Sequence, residues 1–195
     1  MHDSAGTSDS AASSGGSSSL PGSSGDSPLK SAGDALDTTR EGLRVDFYVL
    51  EESSAAGRLK LACRLAEKAY LGAQVALVWH TDAEELRTFD EMLWTFMDGS
   101  FVPHDFLAPG LTSGPSSAAP DNETPVLLSA GVAPPANVDI IINLAPELPG
   151  CLSQTRRVAE IIDGDDARRR AGRARFKAYR DLGIQPASHN IRTDP

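Results

Sequence analysis

Four short apolar runs limit this chain to folds in which a sheet is covered on both faces. Residues 45–50, 75–79, 125–128 and 138–144 consist mostly of aliphatic and aromatic side chains. A strand with one face in water alternates apolar with polar residues, whereas a continuous apolar run is typical of a strand buried on both faces of a parallel sheet. We therefore expect a mainly parallel sheet, with residues 158–162 as a fifth candidate strand.

Helical spacing between these runs predicts helices that flank the sheet. Apolar side chains recur at this spacing over residues 59–70 and 86–96, and Thr81 and Glu84 have the spacing of a capping box. Strands that alternate with helices are typical of α/β proteins. The chain is expected to form a single α/β domain over residues 44–190.

The predicted fold is Rossmann-like but lacks a phosphate-binding glycine motif. The turn after the first strand holds Glu51 and Glu52, where a dinucleotide-binding protein has glycines that let the backbone approach a pyrophosphate. Two carboxylates at this turn would repel phosphate. No Gly-x-x-x-x-Gly-Lys motif occurs either, so we expect no nucleotide cofactor.

Three segments lie outside the predicted core. Residues 1–30 contain eleven serines and five glycines, and residues 1–43 are expected to form a disordered acidic tail. This tail is either a solvated extension or a regulatory segment that shields the domain. Residues 108–124 are rich in Pro, Gly, Ser and Ala and are expected to form a mobile surface loop. Residues 191–195 form the C-terminal end.

Composition limits the compartment and the class of protein. The chain has 18 bases and 27 acids, and its net charge of −9 argues against direct binding to duplex DNA. No apolar run approaches the roughly 18 residues of a membrane span, so no membrane contact is expected. Two cysteines, Cys63 and Cys151, are too few for a disulfide framework. These features favour a cytoplasmic protein.

Residues that could carry catalysis are sparse. His80 follows a predicted strand and has Asp82 close by, which leaves a hydrolase or transferase as an alternative. His104 follows Pro103 and is expected to fasten a loop. No nucleophile motif or metal-ligand spacing accompanies them, so we expect neither catalytic residues nor a metal.

The last predicted helix is strongly basic. It is expected to begin at Asp165 or Asp166 and to end near Leu182, before Gly183. Between residues 167 and 180 there are seven bases and no acid. This local charge is opposite in sign to that of the whole chain, so the helix is a candidate binding surface.

The residues of this helix divide between two faces. One sector holds Arg169, Arg173, Phe176, Lys177 and Arg180. The opposite side is expected to pack on the sheet and holds Ala167, Ala171, Ala174, Ala178 and Leu182. An aromatic ring among cations suits an acidic peptide that ends in a hydrophobic residue with a free carboxylate. A solvated basic face and a single-stranded nucleic acid site stay open as alternatives.

A second candidate surface involves two aromatic residues. Trp94 lies one residue off the apolar face of the second predicted helix, and Phe101 lies in the loop that follows. Large aromatic side chains at a rim often anchor protein partners. Trp94 and Phe101 are therefore candidate interface residues.

Four segments together resemble the chi subunit family of the bacterial DNA polymerase III holoenzyme. They are Phe47-Tyr48-Val49-Leu50, Phe89-Asp90-Glu91-Met92-Leu93-Trp94, Ser100-Phe101-Val102-Pro103-His104 and Arg173-Ala174-Arg175-Phe176-Lys177-Ala178-Tyr179-Arg180. The resemblance covers roughly residues 44–190 and leaves the N-terminal tail unexplained.

The resemblance implies a non-catalytic protein that bridges two partners. It implies that Arg173, Lys177 and Arg180 bind the acidic C-terminal tail of single-stranded-DNA-binding protein, with Arg169 assisting and Phe176 lining an apolar pocket. It also implies that Trp94 and Phe101 contact the clamp loader through a psi subunit or an equivalent, or else a helicase. DNA would be contacted only indirectly, and the protein would reside in the cytoplasm with the replisome.

Overall fold

A computed structural model describes residues 42–107, 124–134 and 136–192. The expected disordered tail over residues 1–43 and the expected mobile loop over residues 108–124 lie outside the described residues, except for residues 42, 43 and 124. Leu43 belongs to the folded domain, because its side chain packs against one of the two hydrophobic clusters.

The described residues form seven strands and three α-helices. In chain order they are β1 (Arg44–Leu50), α1 (Ala55–Leu71), β2 (Ala76–His80), α2 (Ala83–Thr95), β3 (His104–Phe106), β4 (Val126–Ala130), β5 (Ile140–Asn143), β6 (Arg157–Ile162), α3 (Asp166–Asp181) and β7 (Ala187–Ile191), with a 3-10 helix over Leu152–Gln154 before β6. In the part of the chain that the structure describes, no helix is long and apolar enough to cross a membrane.

All seven strands belong to one sheet in the order β3-β4-β2-β5-β6-β1-β7. Every neighbouring pair is parallel. In β1, Val45 pairs with Val158 of β6, and Asp46 pairs with Ala187 of β7. The predicted α/β fold with a parallel sheet is confirmed. The two edge strands, β3 and β7, were not predicted.

The helices cover both faces of the sheet. Phe89 of α2 and Ala62 of α1 belong to the hydrophobic cluster on one face. Phe47 of β1 and Tyr179 of α3 belong to the cluster on the other. The helix α3 therefore lies on the face opposite α1 and α2, and strand β1 contributes side chains to both clusters.

Side-chain caps fix where all three helices begin, and Ser54 caps α1 by accepting from the N–H of Gly57. Asp82, and not the predicted Thr81, caps α2, because its carboxylate accepts hydrogen bonds from the backbone N–H groups of Glu84 and Glu85. Asp165 caps α3 by accepting from the N–H of Arg168 at 2.9 Å. The capping-box prediction was therefore one residue off, whereas the prediction for α3 is confirmed.

The alanine face predicted to pack α3 on the sheet is wrong. Ala167 and Ala174 are exposed, whereas the buried residues of α3 are Gly172, Arg175 and Tyr179. A buried polar contact, and not the small size of alanine, determines which face of α3 packs on the sheet. Strand β6 places the acid Glu160 in the interior under α3. This orientation buries Arg175 and Tyr179, whereas Ala171 and Ala178 are only half-buried. Of the predicted face, Leu182 does pack against the hydrophobic cluster.

Candidate functional site

A buried carboxylate holds α3 in its orientation. Glu160 of β6 has no exposed surface and accepts hydrogen bonds from Arg175 Nε at 2.8 Å and from the Tyr179 hydroxyl at 2.8 Å. The amide of Asn143 donates to both of its oxygens. Arg175 also donates through Nη1 to the carbonyl of Pro146. Three elements, β5, β6 and α3, thus meet at one carboxylate, and the loop at Pro146 joins them through Arg175. This network fixes how α3 is rotated about its axis.

Burial changes the acidity of this network. It raises the pKa of the Glu160 carboxyl, against the opposing effect of Arg175 and the other donors. Burial and the nearby Glu160 carboxylate also raise the pKa of the Tyr179 hydroxyl. The phenol therefore stays protonated and keeps donating its hydrogen bond at neutral pH.

A groove of about 470 Å³, which we call the α3 groove, runs between α3 and the β1–β7 end of the sheet. Its lining is Phe47, Val49, Glu51, Ile162, Arg169, Gly172, Arg173, Phe176, Ser188 and Asn190. The apolar lining residues come from β1, β6 and α3, and the uncharged polar ones come from β7. The groove can therefore hold a ligand with an apolar end.

Phe176 belongs to the apolar part of the α3 groove. Its ring packs edge-on against Phe47, with 5.2 Å between the ring centroids. The ring of Phe47 also packs edge-on against that of Tyr179, with 6.1 Å between the ring centroids. Because Tyr179 is bonded to Glu160, the network that orients α3 also positions the aromatic side of the groove.

The structure brings together three of the five predicted residues of the basic helix. Arg169, Arg173 and Phe176 line the α3 groove. Lys177 is exposed on α3 outside that lining, and so is Arg180. These two cations lie where they can attract a charged ligand without contacting its buried end.

Arg169 is the lining cation with the most defined environment. It donates through Nη2 to the backbone carbonyl of Glu51 at 3.3 Å. Its Nε is buried and has no hydrogen-bond partner among the described residues. The Arg169 guanidinium is thus held at the turn after β1, beside the groove.

Sequence reasoning missed the sheet side of the α3 groove. Phe47 and Val49 alternate along β1, and this alternation was a usable signal for one shared face. Ser188 and Asn190 lie on β7, whose sequence Ala-Ser-His-Asn-Ile carries no strong strand signal. Without β7 the second wall of the groove could not be predicted.

A second candidate site, which we call the aromatic patch, is formed by Trp94, Met97 and Phe101. These side chains are 47%, 49% and 62% exposed. The rings of Trp94 and Phe101 lie 5.3 Å apart between centroids. The predicted exposure of Trp94 is confirmed, and Met97 is a member that the sequence analysis missed. Exposed apolar side chains in contact are typical of an interface with another protein.

The two sites lie at opposite ends of the sheet. The α3 groove is built on β1 and β7, which occupy one edge, whereas the aromatic patch adjoins β3 at the other edge. No residue lines both. Each site is therefore positioned by its own helix and its own edge strand.

The residues of the alternative catalytic site, His80 and Asp82, lie at a cavity of about 260 Å³ at the carboxyl end of β2. Nδ1 of His80 accepts a hydrogen bond from the backbone N–H of Asp82 at 2.7 Å, and Nε2 lies 3.2 Å from Glu85. The Asp82 carboxylate caps α2 instead of orienting the ring. Burial lowers the pKa of His80, so the imidazole is neutral at neutral pH.

This cavity shows no arrangement for nucleophilic chemistry among the described residues. Its one hydroxyl, that of Thr81, donates to Glu147. Both cysteines are buried away from it, and burial raises the pKa of the Cys63 thiol to about 12 and that of Cys151 in the same direction. In the described parts of the chain, no group of three His, Cys, Asp or Glu side chains could hold a metal ion.

Comparison with known proteins places the chain among chi subunits of DNA polymerase III. Residues 43–187 match the family model described as DNA polymerase III chi subunit, HolC. The chain is 36% identical over 148 residues to DNA polymerase III subunit chi of Pseudomonas aeruginosa, an alignment that covers 76% of this chain and 96% of the relative. The chi subunit of Haemophilus influenzae is 29% identical over 147 residues, which is 74% of this chain and 95% of that protein. The Escherichia coli subunit is 26% identical over 143 residues, which is 71% and 91%.

Among solved structures, the fold is similar to that of T4 UvsW. The TM-score is 0.54 at 9% sequence identity, over 79% of this chain and 42% of that chain. This chain thus spans about two fifths of the UvsW chain. The likeness concerns the fold alone.

Proposed function

Because this chain belongs to the DNA polymerase III chi subunit family, whose members are accessory subunits of the replicative polymerase, we propose that it links two replisome partners. The α3 groove binds the acidic C-terminal tail of single-stranded-DNA-binding protein. The aromatic patch binds the clamp loader through a psi subunit or an equivalent, or a helicase. The protein acts without catalysis, in the cytoplasm, and contacts DNA indirectly.

The observation that carries the first half of this proposal is an apolar groove lined by two arginines. A hydrophobic C-terminal side chain fits against Phe47 and Phe176, whose rings are already in contact. A terminal carboxylate beside it can accept from Arg169 and Arg173. The acids that precede the terminus meet Lys177 and Arg180 outside the groove.

A short acidic peptide suits this surface better than a long polyanion. Glu51 lies in the groove lining, and the charge of the chain as a whole is −9. Repulsion from the rest of the molecule grows with the length of a bound anion, whereas a peptide meets only the basic helix. A single half-buried ring is also little support for stacking successive bases.

For the second half, the support is the exposed aromatic area at the β3 edge. Trp94 and Phe101 contact each other and leave about half or more of their surface in water. Tryptophan is enriched among residues that contribute most to protein interfaces. The position opposite the α3 groove leaves both surfaces free to be occupied together.

Calorimetry with a synthetic acidic peptide that ends in a hydrophobic residue tests the groove. We expect binding that weakens as salt is added, because exposed charge pairs are screened beyond about 8–10 Å in physiological salt. Amidation of the terminus should weaken binding, since the carboxylate is lost. Equal affinity for the free and the amidated peptide would contradict the role assigned to Arg169 and Arg173.

Charge reversal on α3 provides the matched test. Arg173→Glu with Lys177→Glu should weaken peptide binding by roughly a hundredfold or more, because attraction becomes repulsion. The control is Lys60→Glu with Arg64→Glu on exposed positions of α1, which changes the net charge equally. Equal loss in both double variants would mean that net charge, and not the groove, governs binding.

A further inference from the structure

The ring of His104 lies beneath the aromatic patch with both of its nitrogens facing acceptors. Nε2 lies 2.8 Å from a carboxylate oxygen of Asp90. Nδ1 lies 2.7 Å from the backbone carbonyl of Val102. The His104 side chain is 1% exposed and that of Asp90 is 8% exposed, so water does not replace either contact.

These contacts set the protonation of the ring. A backbone carbonyl only accepts, so Nδ1 must carry a proton to bond Val102. An ionised carboxylate only accepts too, so Nε2 must carry a second proton to bond Asp90. A neutral imidazole has one N–H and would leave a lone pair pointing at an acceptor, in a site where an unmade hydrogen bond is costly.

The same ring contacts Trp94 of the aromatic patch. The centroids of the two rings are 4.7 Å apart, within the range in which a cation is attracted to the face of an indole. Asp90 and Trp94 lie one turn apart on α2, whereas His104 begins β3. The histidine therefore connects the helix to the edge strand directly below the exposed rings.

We propose that His104 is held as an imidazolium by Asp90 and Val102, and that it is a positioning residue for Trp94 and thereby for the aromatic patch. The contact fixes the tilt of the indole against the edge of the sheet. When His104 loses a proton, one of its two hydrogen bonds and the cationic contact with Trp94 are lost together.

Charged side chains of both signs lie on the elements packed around His104. Besides Asp90, the carboxylates include Glu91 on α2, Asp105 on β3 and Glu67 on α1; the bases are Arg87 on α2 and Arg58, Lys60, Arg64 and Lys68 on α1. Arg87 is paired with Glu84, and Arg58 with Glu85. Strand β4, which pairs with β3, has no titratable residue. Glu67 reaches this region by accepting from Ser100 Oγ at 2.5 Å.

The direct test is nitrogen NMR of the histidine rings in the unmodified chain at neutral pH. We expect protons on both Nδ1 and Nε2 of His104. A His104 ring with an unprotonated Nε2 would overturn the proposal, whatever the protonation of Asp90. This measurement needs neither a variant nor a partner, so it is independent of the proposed function.

Asp90→Asn gives a variant that keeps the geometry without the charge. An asparagine amide can donate to Nε2, so a neutral ring is satisfied while Nδ1 still donates to Val102. With fluorotryptophan incorporated, the Trp94 signal of the wild type should follow His104 deprotonation as pH rises. The signal should lose this dependence in Asp90→Asn, while that of Trp79, in the cluster on the other face, should not follow it in either protein. A Trp94 signal with the same pH dependence in the wild type and in Asp90→Asn would contradict the proposal.

Binding at the patch provides the readout that rests on the proposed function. His104→Gln should weaken binding of a psi polypeptide by roughly three- to thirtyfold, the range expected for loss of a cation–π contact. The acidic peptide at the α3 groove should bind unchanged. If Trp94→Ala with Phe101→Ala leaves psi binding intact while both His104 nitrogens are protonated, the proposed function at the patch fails and the positioning role stands.

Discussion

The helices α2 and α3 present their aromatic side chains in opposite ways. Helix α3 has seven bases and two acids, and its Phe176 is partly buried in a groove against Phe47. Helix α2 has one base and four acids, and its Trp94 stands half exposed beside Phe101. A groove with cations is therefore suited to a charged chain end, whereas an exposed aromatic pair is suited to the surface of a folded partner.

Each surface is also held in place by its own set of buried contacts. A buried carboxylate orients α3 through Arg175 and Tyr179. A carboxylate and a histidine support Trp94 on α2. Because the two supports share no residue, damage to one should leave the other surface unchanged.

Removing the charge of Glu160 should destabilise the packing of α3 and leave the aromatic patch unchanged. Glu160→Gln leaves the buried Arg175 guanidinium without a counter-charge, which is expected to lower the free energy of unfolding by about 3–5 kcal/mol. Peptide binding should fall with it. Urea unfolding measures the first effect, and Glu91→Gln at an exposed site on α2 is the control. Unchanged stability would show that the raised pKa keeps Glu160 protonated in the folded protein.

Removing the aromatic pair should affect only the other surface. Trp94→Ala with Phe101→Ala should weaken binding of a psi or helicase partner by roughly 1–4 kcal/mol while sparing the peptide. The exposed Leu71, mutated to alanine, controls for loss of apolar surface elsewhere. Pull-downs with these variants and with the charge-reversed α3 variant decide the point. If both double variants lost the same partner to the same extent, the two surfaces would have to be one binding site.

Acid should loosen the start of α3 through Asp163. Burial alone would raise the pKa of this carboxyl, but paired hydrogen bonds from Arg168 lower it below the ordinary 3.8. A carboxyl whose pKa is lower in the folded than in the unfolded state stabilises the fold fully above its unfolded-state pKa. This stabilisation is lost as pH falls through the folded-state pKa. Asp163→Asn should therefore cost about 1–3 kcal/mol at neutral pH and progressively less in acid. Urea unfolding across pH checks this, and a constant cost would contradict it.

Filling the groove floor from the helix should weaken peptide binding slightly. A Cβ at Gly172 would overlap Cδ1 of Ile162, which also lines the α3 groove. Gly172→Ala should push that side chain into the groove and weaken the peptide by about 1 kcal/mol, a cost typical of modest overpacking. Adding Ile162→Val deletes Cδ1 and should restore binding. Failure of this rescue would place the peptide elsewhere on α3.

The sequence was sufficient for the parallel sheet because its central strands are continuous apolar runs. It was insufficient for the packing of α3. The sequence analysis assigned Arg175 and Tyr179 to neither face of the helix, because burial of a guanidinium depends on a counter-charge that lies far away in sequence. Glu160 within an otherwise apolar strand was the available signal, because a buried acid requires a partner.

The edge strands could not be predicted for a different reason. β3 has three residues, and β7 has polar side chains at most of its positions. Edge strands bury less surface than central ones, so their residues carry little hydrophobic pattern. The basic residues of the groove were therefore predictable from α3 alone, whereas Ser188 and Asn190 needed the sheet.

The parallel sheet gives the molecule a fixed internal length. Five strand spacings separate β3 from β1, which corresponds to about 24 Å of hydrogen-bonded backbone between the aromatic patch and the α3 groove. If the two proposed partners were also joined to each other, binding of the second one across this spacer would be an intramolecular step, favoured by a raised local concentration. The lifetime of such an assembly would then exceed that of its individual contacts.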